Sequence, residues 1–340
     1  MTENREQTRP QSHHFQLEAI ADGVYAAIAK DHGYAVGNAG IIDLGDQTLV
    51  FDTFITPQAA RDLRVVAEHL TGREVTWVVN SHYHNDHIRG NQVFPIDTGI
   101  IATEQTRALI RTKGMNELHW DSENAPMRLQ ELEDQIADEE EPDKRSKLEL
   151  LATYSRGVNR SLEGLKLRLP DHTFDRRMAV YGTARAVEIV TFGGGHTESD
   201  AILFLPDEGI GFMGDLLFVG CHPYLADGDP DEWLRSLEQV ATLDLKTLVP
   251  GHGPVGTPGD LELINRYITD TMALAEAVVE NGETVENAVH QKVPRAYNQW
   301  RFSNFFATNM RFLYRRLCPE PEPEPEIEPD DLLPDEDEYV

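Results

Sequence analysis

Three histidines and an aspartate lie within the eight residues 80–87, Asn-Ser-His-Tyr-His-Asn-Asp-His. Imidazole and carboxylate groups are the ligands that a borderline divalent metal such as Zn²⁺ prefers. His82 and His84 are two residues apart, so in an extended segment both side chains point toward one ion. Asp86 and His87 follow too closely to serve that ion and suit a second ion beside it. The segment therefore predicts a metal site.

A short buried strand is expected to precede the histidine-rich segment 80–87 and to position it. Residues 75–79 (Val-Thr-Trp-Val-Val) are apolar and β-branched, which predicts a strand whose carboxyl end carries the histidines. His196, Asp215 and His252 repeat the arrangement, because each follows a strand-like run and has glycines beside it. Glycine lets the backbone approach a metal closely. The repetition favours one site assembled from several strand ends over isolated structural residues.

Five segments, in this order, resemble the metallo-β-lactamase-fold hydrolases. They are Asp52 in Leu-Val-Phe-Asp-Thr, the 82–87 loop, His196 in Gly-Gly-His-Thr, Asp215 in Gly-Asp-Leu and His252 in Pro-Gly-His-Gly-Pro. The resemblance covers residues 18–256. It implies an α/β fold, a four-layer αββα sandwich of two mixed β-sheets, with a metal site along one edge.

The same resemblance implies two sets of metal ligands and one bridging residue. These are His82, His84 and His196 for the first metal, Asp86, His87 and His252 for the second, and Asp215 as the bridge. Asp52 matches the position that braces the histidine-rich loop. The expected cofactor is Zn²⁺, two ions per chain, with iron or manganese as alternatives. Zinc ions that share a hydroxide lower its pKa to about 7, and Asp86 and Asp215 are expected to hold this nucleophile and handle its proton.

Departures from the family pattern indicate which substrates the site binds. The loop is usually completed by two glycines, whereas here Arg89 precedes Gly90. We expect the Arg89 guanidinium to lie at the rim of the site and to bind an anionic group of the substrate. Beyond Asp215, His222 and Tyr224 are either substrate contacts or structural residues. The best-known zinc β-lactamases carry Cys where this chain has Asp215, so the resemblance is closer to the broader thioesterase, lactonase and lactamase-like hydrolases.

Three enzymatic functions are compatible with these residues. The first is a dinuclear zinc hydrolase that cleaves an acyl bond (thioester, ester, lactone or β-lactam-like amide). The second is a mononuclear iron dioxygenase of the persulfide type, and the third is a phosphodiesterase. The complete second ligand set counts against the dioxygenase, and no ligand is missing, as one would be in an inactive binding module. A metal-dependent hydrolase is therefore the prediction.

Charge and composition limit the partners. The formal net charge is −29 and the pI is near 4.7, which argues against nucleic acid as a partner and against a phosphodiesterase acting on RNA. Two cysteines fit a reducing compartment, and neither a signal peptide nor an 18-residue apolar run is evident. We therefore expect a cytoplasmic protein that acts on a small molecule and has no membrane partner.

The pattern along the chain predicts four parts. These are a flexible N-terminus (1–16), the metallo-β-lactamase-fold domain (17–258), C-terminal helices packed on it (259–318) and a disordered acidic tail (319–340) with eleven acidic residues and no basic one. Within the domain, residues 104–165 predict a helical insertion around an acidic run. The insertion is either a lid over the metal edge or a dimerisation element of a homodimer.

Overall fold

Two β-sheets pack face to face in the computed structural model, which describes residues 11–319. The strands of the first sheet are β1 Phe15–Ala21, β2 Val24–Ala29, β3 Ala39–Asp43, β4 Thr48–Phe51, β5 Trp77–Val79, β6 Gly99–Thr103 and β7 His172–Phe174, in that spatial order. Those of the second are β8 Arg177–Tyr181, β9 Ala186–Thr191, β10 Ala201–Leu205, β11 Ile210–Phe212 and β12 Thr247–Val249, in the reverse spatial order. Both sheets are mixed, since β4 to β7 are parallel neighbours, as are β11 and β12, and the other pairs are antiparallel.

Helices cover both outer faces. They are α1 Pro57–Thr71, α2 Asn85–Ile88, α3 Glu104–Leu109, α4 Met115–Asp138, α5 Pro142–Leu162, α6 Pro230–Val240, α7 Pro258–Glu280, α8 Val285–Val289 and α9 Asn304–Leu317. Helix α1 packs on the first sheet through Leu63 and Val66, and α6, α7 and α9 pack on the second through residues such as Trp233 and Ile264. The predicted four-layer αββα sandwich is confirmed.

An apolar core between the two sheets covers the inner face of each sheet, and helices cover the outer faces. Side chains of both sheets meet there, among them Ile42 and Phe51 of the first and Leu203 and Phe212 of the second. A strand covered on both faces reads as a continuous apolar run rather than as an alternating one, as β10 and β11 do. None of the described side chains of the insertion belongs to this core.

Helices α4 and α5 form the insertion, an antiparallel helical hairpin that packs on the edge of the sandwich. Ala125 of α4 and Val158 of α5 contact Ile55, and the loop between β2 and β3 contributes Val36. Gly157 allows the close approach, because a Cβ at this position would lie 2.7 Å from Tyr34 Cδ1. Ala125 is the buried residue of α4, so this helix contacts the domain along one narrow stripe.

Some boundaries differ from the sequence-based ones. Strand β1 begins at Phe15, two residues before the expected start of the domain. The side chains of Thr56 and Thr103 cap the helices that begin at Pro57 and Glu104. Residues 1–10 of the expected flexible N-terminus and 320–340 of the expected acidic tail lie outside the described residues. No helix in the range 11–319 has the length and apolarity needed to cross a membrane.

Candidate metal centre

Five strand ends converge at one edge of the sandwich. Strands β4 and β5 of the first sheet lead to Asp52 and to the 82–87 loop, and β9, β11 and β12 of the second lead to His196, Asp215 and His252. Because β4 and β5 are parallel neighbours, and β11 and β12 likewise, their carboxyl ends open at the same edge. All seven side chains predicted to bind metal meet there.

The predicted ligand atoms form two groups. One contains His82, His84, His196 and Asp215, the other contains Asp86, His87 and His252, and within each group the nearest ligand atoms lie within 4.8 Å of one another. Asp215 spans the two groups. Its Oδ2 is 3.2 Å from His196 Nε2 and 3.3 Å from His252 Nε2, and its Oδ1 is 3.2 Å from His87 Nε2. Asp86 Oδ2 lies 3.2 Å from His252 Nε2.

Asp52 holds the histidine-rich loop in place. It is fully buried and has a positive φ of 59°, which is uncommon for a residue other than glycine. Its Oδ1 accepts the Ser81 backbone N–H, and its Oδ2 accepts the Ser81 hydroxyl and His87 Nδ1, each at 2.8 Å. The expected bracing role thus corresponds to three hydrogen bonds onto the loop.

Hydrogen bonds to the outward nitrogens orient four of the imidazoles. His82 Nδ1 contacts the Ser81 hydroxyl, which itself donates to Asp52, and His87 Nδ1 donates to Asp52. His196 Nδ1 donates to the Tyr224 carbonyl oxygen at 3.0 Å, and His84 Nε2 contacts an Asp227 carboxylate oxygen at 3.0 Å. With the proton on the outward nitrogen, each inward nitrogen presents a lone pair to the centre of the cluster, which is the tautomer a metal ligand requires.

The carboxylates and imidazoles of the cluster shift one another's pKa values. Burial disfavours protonation of His87 and His252, but the Asp86 and Asp215 carboxylates outweigh it and raise the pKa of His87 well above its usual value and that of His252 to about 9. Burial also raises the pKa of Asp86 and Asp215, yet the neighbouring imidazoles hold both well below the usual range. Burial lowers the pKa of His196 to about 3, so this imidazole is neutral.

Close backbone approach at the edge requires glycine at two positions. A Cβ at Gly251 would lie 1.8 Å from Asp215 Oδ1, and one at Gly214, whose φ is +51°, would lie 2.6 Å from Ser81 Cβ. These glycines flank His252 and Asp215 in the sequence. A larger residue at position 251 would displace the candidate ligand Asp215, and one at position 214 would displace Ser81, which contacts His82 and Asp52.

Two carboxylates near the cluster were missed by the sequence analysis. Asp227 contacts His84 Nε2, and Glu117, from α4, has a carboxylate oxygen within 4.8 Å of both His84 and Asp227. Burial, together with Asp227 and Asp86, raises the pKa of Glu117 to about 7 against the opposing influence of His84 and Arg89. Neither residue belongs to a local motif, and only the acidic Asp227-Gly-Asp229 turn after Tyr224 signals a polar loop.

The structure corrects the expected position of Arg89. Its side chain is 1% exposed, and its Nη2 donates to Asp121 Oδ2 of α4 at 2.5 Å. The insertion covers this part of the loop, so the guanidinium is not at an open rim and pairs with a protein carboxylate. Arg89 therefore links the histidine-rich loop to α4.

His222 and Tyr224 have different surroundings. His222 is buried, its Nδ1 lies 2.9 Å from the Tyr267 hydroxyl, and its ring packs against Trp300 and Phe306 of the C-terminal region. The expectation that His222 contacts the substrate is therefore wrong, and its role is structural.

Tyr224 lies beside the cluster. Its carbonyl orients His196, and burial with the Asp227 and Glu117 carboxylates raises the pKa of its phenol. Its role as a substrate contact stays a prediction.

A family model described as the metallo-beta-lactamase superfamily matches residues 32–252. This range covers more than half of the chain and contains every residue of the cluster.

The chain belongs to the metallo-β-lactamase superfamily.

Two curated superfamily relatives match short parts of the chain. It is 32% identical over 111 residues to a hydroxyacylglutathione hydrolase of Synechococcus, with 30% of this chain and 41% of the relative covered. It is 28% identical over 117 residues to the type 2 metallo-beta-lactamase of Bacteroides fragilis, with 31% and 46% covered. The chain thus spans less than half the length of each.

Solved structures confirm the superfamily fold. A metallo-beta-lactamase from Pontibacter korlensis superposes with a TM-score of 0.53 at 18% identity, covering 75% of this chain and 99% of that one. The metallo-beta-lactamase FIM-1 of Pseudomonas aeruginosa, in its mono-zinc form, gives a TM-score of 0.52 at 17% identity, with 77% and 98% covered. At these identities the likeness concerns the fold alone.

The residues present fit the metal that the superfamily implies. His82 Nε2, His87 Nε2 and Asp215 Oδ1 are buried and lack a hydrogen-bond partner, and they point into the cluster. His84 Nδ1 and His196 Nε2 are 2.9 Å apart although each ring has a protein acceptor for its other nitrogen. Two facing lone pairs repel one another, and a cation bound by both removes that repulsion. The donor set of imidazoles and carboxylates suits zinc.

Proposed function

We propose that this protein is a dinuclear zinc hydrolase that cleaves an acyl bond (a thioester, ester, lactone or β-lactam-like amide) of a small molecule. The observation that carries the proposal is the convergence of inward-facing imidazole nitrogens and two carboxylates on one edge of the sandwich. Membership of the superfamily supports it, as does the similarity to two relatives, one a hydroxyacylglutathione hydrolase and the other a metallo-beta-lactamase.

The candidate ligands form two sets, one for each zinc ion. In this proposal His82, His84 and His196 hold one zinc, Asp86, His87 and His252 hold the other, and Asp215 contacts both. Bound zinc supplies an activated water and a Lewis acid that polarises the acyl oxygen. Asp52 and Asp227 keep His87 and His84 in the ligand tautomer through the hydrogen bonds described above.

Asp86 and Asp215 are placed to handle the proton of the attacking water. Both carboxylates lie inside the cluster and are ionised near neutral pH, because the imidazoles around them lower their pKa. In this role both carboxylates accept hydrogen bonds from the water, which orients it and holds its proton away from the acyl carbon. The side chains of Asp86 and His84 are each only 13% exposed, and this exclusion of bulk water strengthens the electrostatic interactions of the site.

Elemental analysis combined with a substrate panel tests the proposal. We expect about two zinc ions per chain and hydrolysis of at least one class in a panel of thioesters, esters, lactones and β-lactams. His196→Ala should fold, lose metal and lose more than about 100-fold in turnover, beyond the effect of removing an orienting partner. One iron per chain, or turnover of phosphodiesters without turnover of acyl substrates, would overturn the proposal.

A further inference from the structure

One stripe of the insertion faces the domain. Lys113 lies in the π-helical turn before α4, and Glu117, Asp121 and Ala125 follow at intervals of four residues, which places all four side chains on one side of the helix. Lys113 Nζ pairs with Glu198 at 2.5 Å, Asp121 pairs with Arg89, and Ala125 packs in the apolar cluster with Ile55. Three members of the stripe thus anchor the insertion.

Glu117, the remaining member, has no such partner. Its Oε2 is buried and makes no hydrogen bond, although the residue lies between two ion-paired neighbours on the stripe. Two polar groups lie within 4.8 Å of its carboxylate: His84, which already contacts Asp227, and the Asp227 carboxylate, which repels it. The cations on the stripe and the loop, Lys113 and Arg89, are each paired with another acid. A buried carboxylate without a partner destabilises a protein, so a purely structural role gives no reason for an acid here.

We propose that Glu117 contacts the non-reacting part of the acyl substrate and selects substrates that carry an N–H or ammonium group over neutral or anionic ones. This inference rests on the proposed hydrolase function. The position of Glu117 agrees with this role, because a carboxylate oxygen of Glu117 lies within 4.8 Å of His84, beside the candidate metal centre. It replaces the expectation of an anionic substrate, because Arg89 is paired with Asp121.

Three ketones of equal shape test the selection by binding alone. In 5-(dimethylamino)pentan-2-one, 6-methylheptan-2-one and 5-oxohexanoate, a protonated amine, an isopropyl group and a carboxylate stand at the same distance from the carbonyl. Dissociation constants are measured by NMR titration with the protein as purified. We expect the amine to bind about 10-fold or more tightly than the isopropyl analogue, the ratio that one charge-assisted hydrogen bond produces.

Matched variants decide whether Glu117 is responsible. Glu117→Gln keeps the shape and removes the charge, and it should bring the amine preference to about one without lowering the thermal transition. Glu131→Gln makes the same charge change on the exposed side of α4 and should keep the wild-type ratio. An unchanged preference in Glu117→Gln, no preference in the wild type, or a preference for 5-oxohexanoate that Glu117→Gln leaves intact would overturn the inference.

The corresponding thioesters separate this inference from the proposed function. With acetyl thioesters of 2-(dimethylamino)ethanethiol and 3-methylbutanethiol, Glu117→Gln should raise KM about 10-fold for the amine alone and leave kcat within about twofold. If neither thioester is hydrolysed while the ketones still show the amine preference that depends on Glu117, thioester hydrolysis fails and the role of Glu117 stands. Hydrolysis of both with equal KM ratios in wild type and Glu117→Gln would overturn the role of Glu117 and leave the hydrolase function intact.

Discussion

Single hydrogen bonds decide which nitrogen of each imidazole faces the cluster. Asp52, Ser81, the Tyr224 carbonyl and Asp227 each contact an outward imidazole nitrogen, so in the neutral form of each ring the inward nitrogen carries the lone pair. A histidine without such an acceptor would rotate and exchange tautomers, and its affinity for a metal would fall. Asp227 is the most exposed of these acceptors, with 35% of its side chain accessible, so it can be removed without leaving a buried cavity.

Removal of the Asp227 carboxylate should weaken metal binding at the His84 group. In Asp227→Ala, His84 Nε2 loses its acceptor, and we expect metal affinity and turnover to fall about 10- to 100-fold. Competition with a chromophoric chelator measures the affinity. Asp207→Ala, an exposed aspartate in the turn between β10 and β11, is the control and should bind metal like the wild type. Equal affinities for the two variants would show that Asp227 does not orient His84.

Asp200 closes the loop that carries His196 and should make stability depend on pH. It is 2% exposed and accepts the Thr197 backbone N–H and hydroxyl, but burial raises its pKa to about 7. The folded state therefore favours the protonated carboxyl. Its contribution to stability is full below the unfolded pKa near 4 and is lost as the pH rises through about 7.

Asp200→Asn should reveal this dependence. Asparagine does not titrate, so the destabilisation by the substitution should be largest near pH 5 and smaller near pH 8, by about 2 kcal/mol. Urea unfolding of both proteins at the two pH values gives the difference in the free energy of unfolding. If the cost of the substitution is the same at both, the carboxyl of Asp200 does not titrate in this window.

At the scale of elements, the insertion depends on a few contacts. Helix α4 contacts the domain through the stripe that contains Asp121 and Ala125, and α5 contacts it through Gly157 and Val158. The Arg89–Asp121 pair joins the insertion directly to the histidine-rich loop. The insertion and the loop that carries the candidate ligands are therefore in direct contact.

Gly157→Ala should loosen the insertion. The added Cβ would lie 2.7 Å from Tyr34 Cδ1, so α5 or Tyr34 must shift, and we expect about 1–3 kcal/mol of destabilisation. Gly114→Ala is the matched control, because a Cβ there meets nothing nearer than 3.5 Å, and it should stabilise by up to about 1 kcal/mol. Urea unfolding and limited proteolysis within residues 115–162 measure the effect. Equal susceptibility in the two variants would contradict this account of the contact.

For the whole molecule, the metal centre joins the two sheets. The 82–87 loop follows β5 of the first sheet, whereas His196, Asp215 and His252 follow strands of the second. An ion bound by ligands from both sheets opposes their separation and stabilises the folded state by mass action. Without an ion, the carboxylates of Asp86 and Asp215 have only the imidazoles as positive partners.

Chelation should therefore lower the stability of the entire domain. With free zinc about 1,000-fold above its dissociation constant, removal of the metal should reduce the free energy of unfolding by about 4 kcal/mol. Calorimetry with and without EDTA, followed by readdition of zinc, measures the change. In His196→Ala, which lacks one ligand from the second sheet, the zinc-dependent shift should be smaller. A transition that is unaffected by EDTA in the wild type would argue against a metal that bridges the sheets.

Local patterns in the sequence predicted the fold and the core of the candidate site. The ligand segments each follow a short apolar strand, and the spacing of His82, His84, Asp86 and His87 is itself a local property. Both kinds of pattern involve residues close together in the sequence, so they can be recognised without knowledge of the tertiary structure. The sandwich and the convergence of the seven side chains follow from them once the resemblance to a family supplies the order of the strands.

Tertiary structure alone decided the surroundings of the site. Glu117 and Asp227 contact the cluster from segments that carry no ligand motif, Arg89 turns toward Asp121, and His222 lies among aromatic side chains of the C-terminal region. These contacts join residues up to 143 positions apart, as for His84 and Asp227. They depend on how a helical hairpin and three C-terminal helices pack on the sandwich. Periodicity specifies which face of a helix is apolar, but not which polar group on that face meets the metal edge.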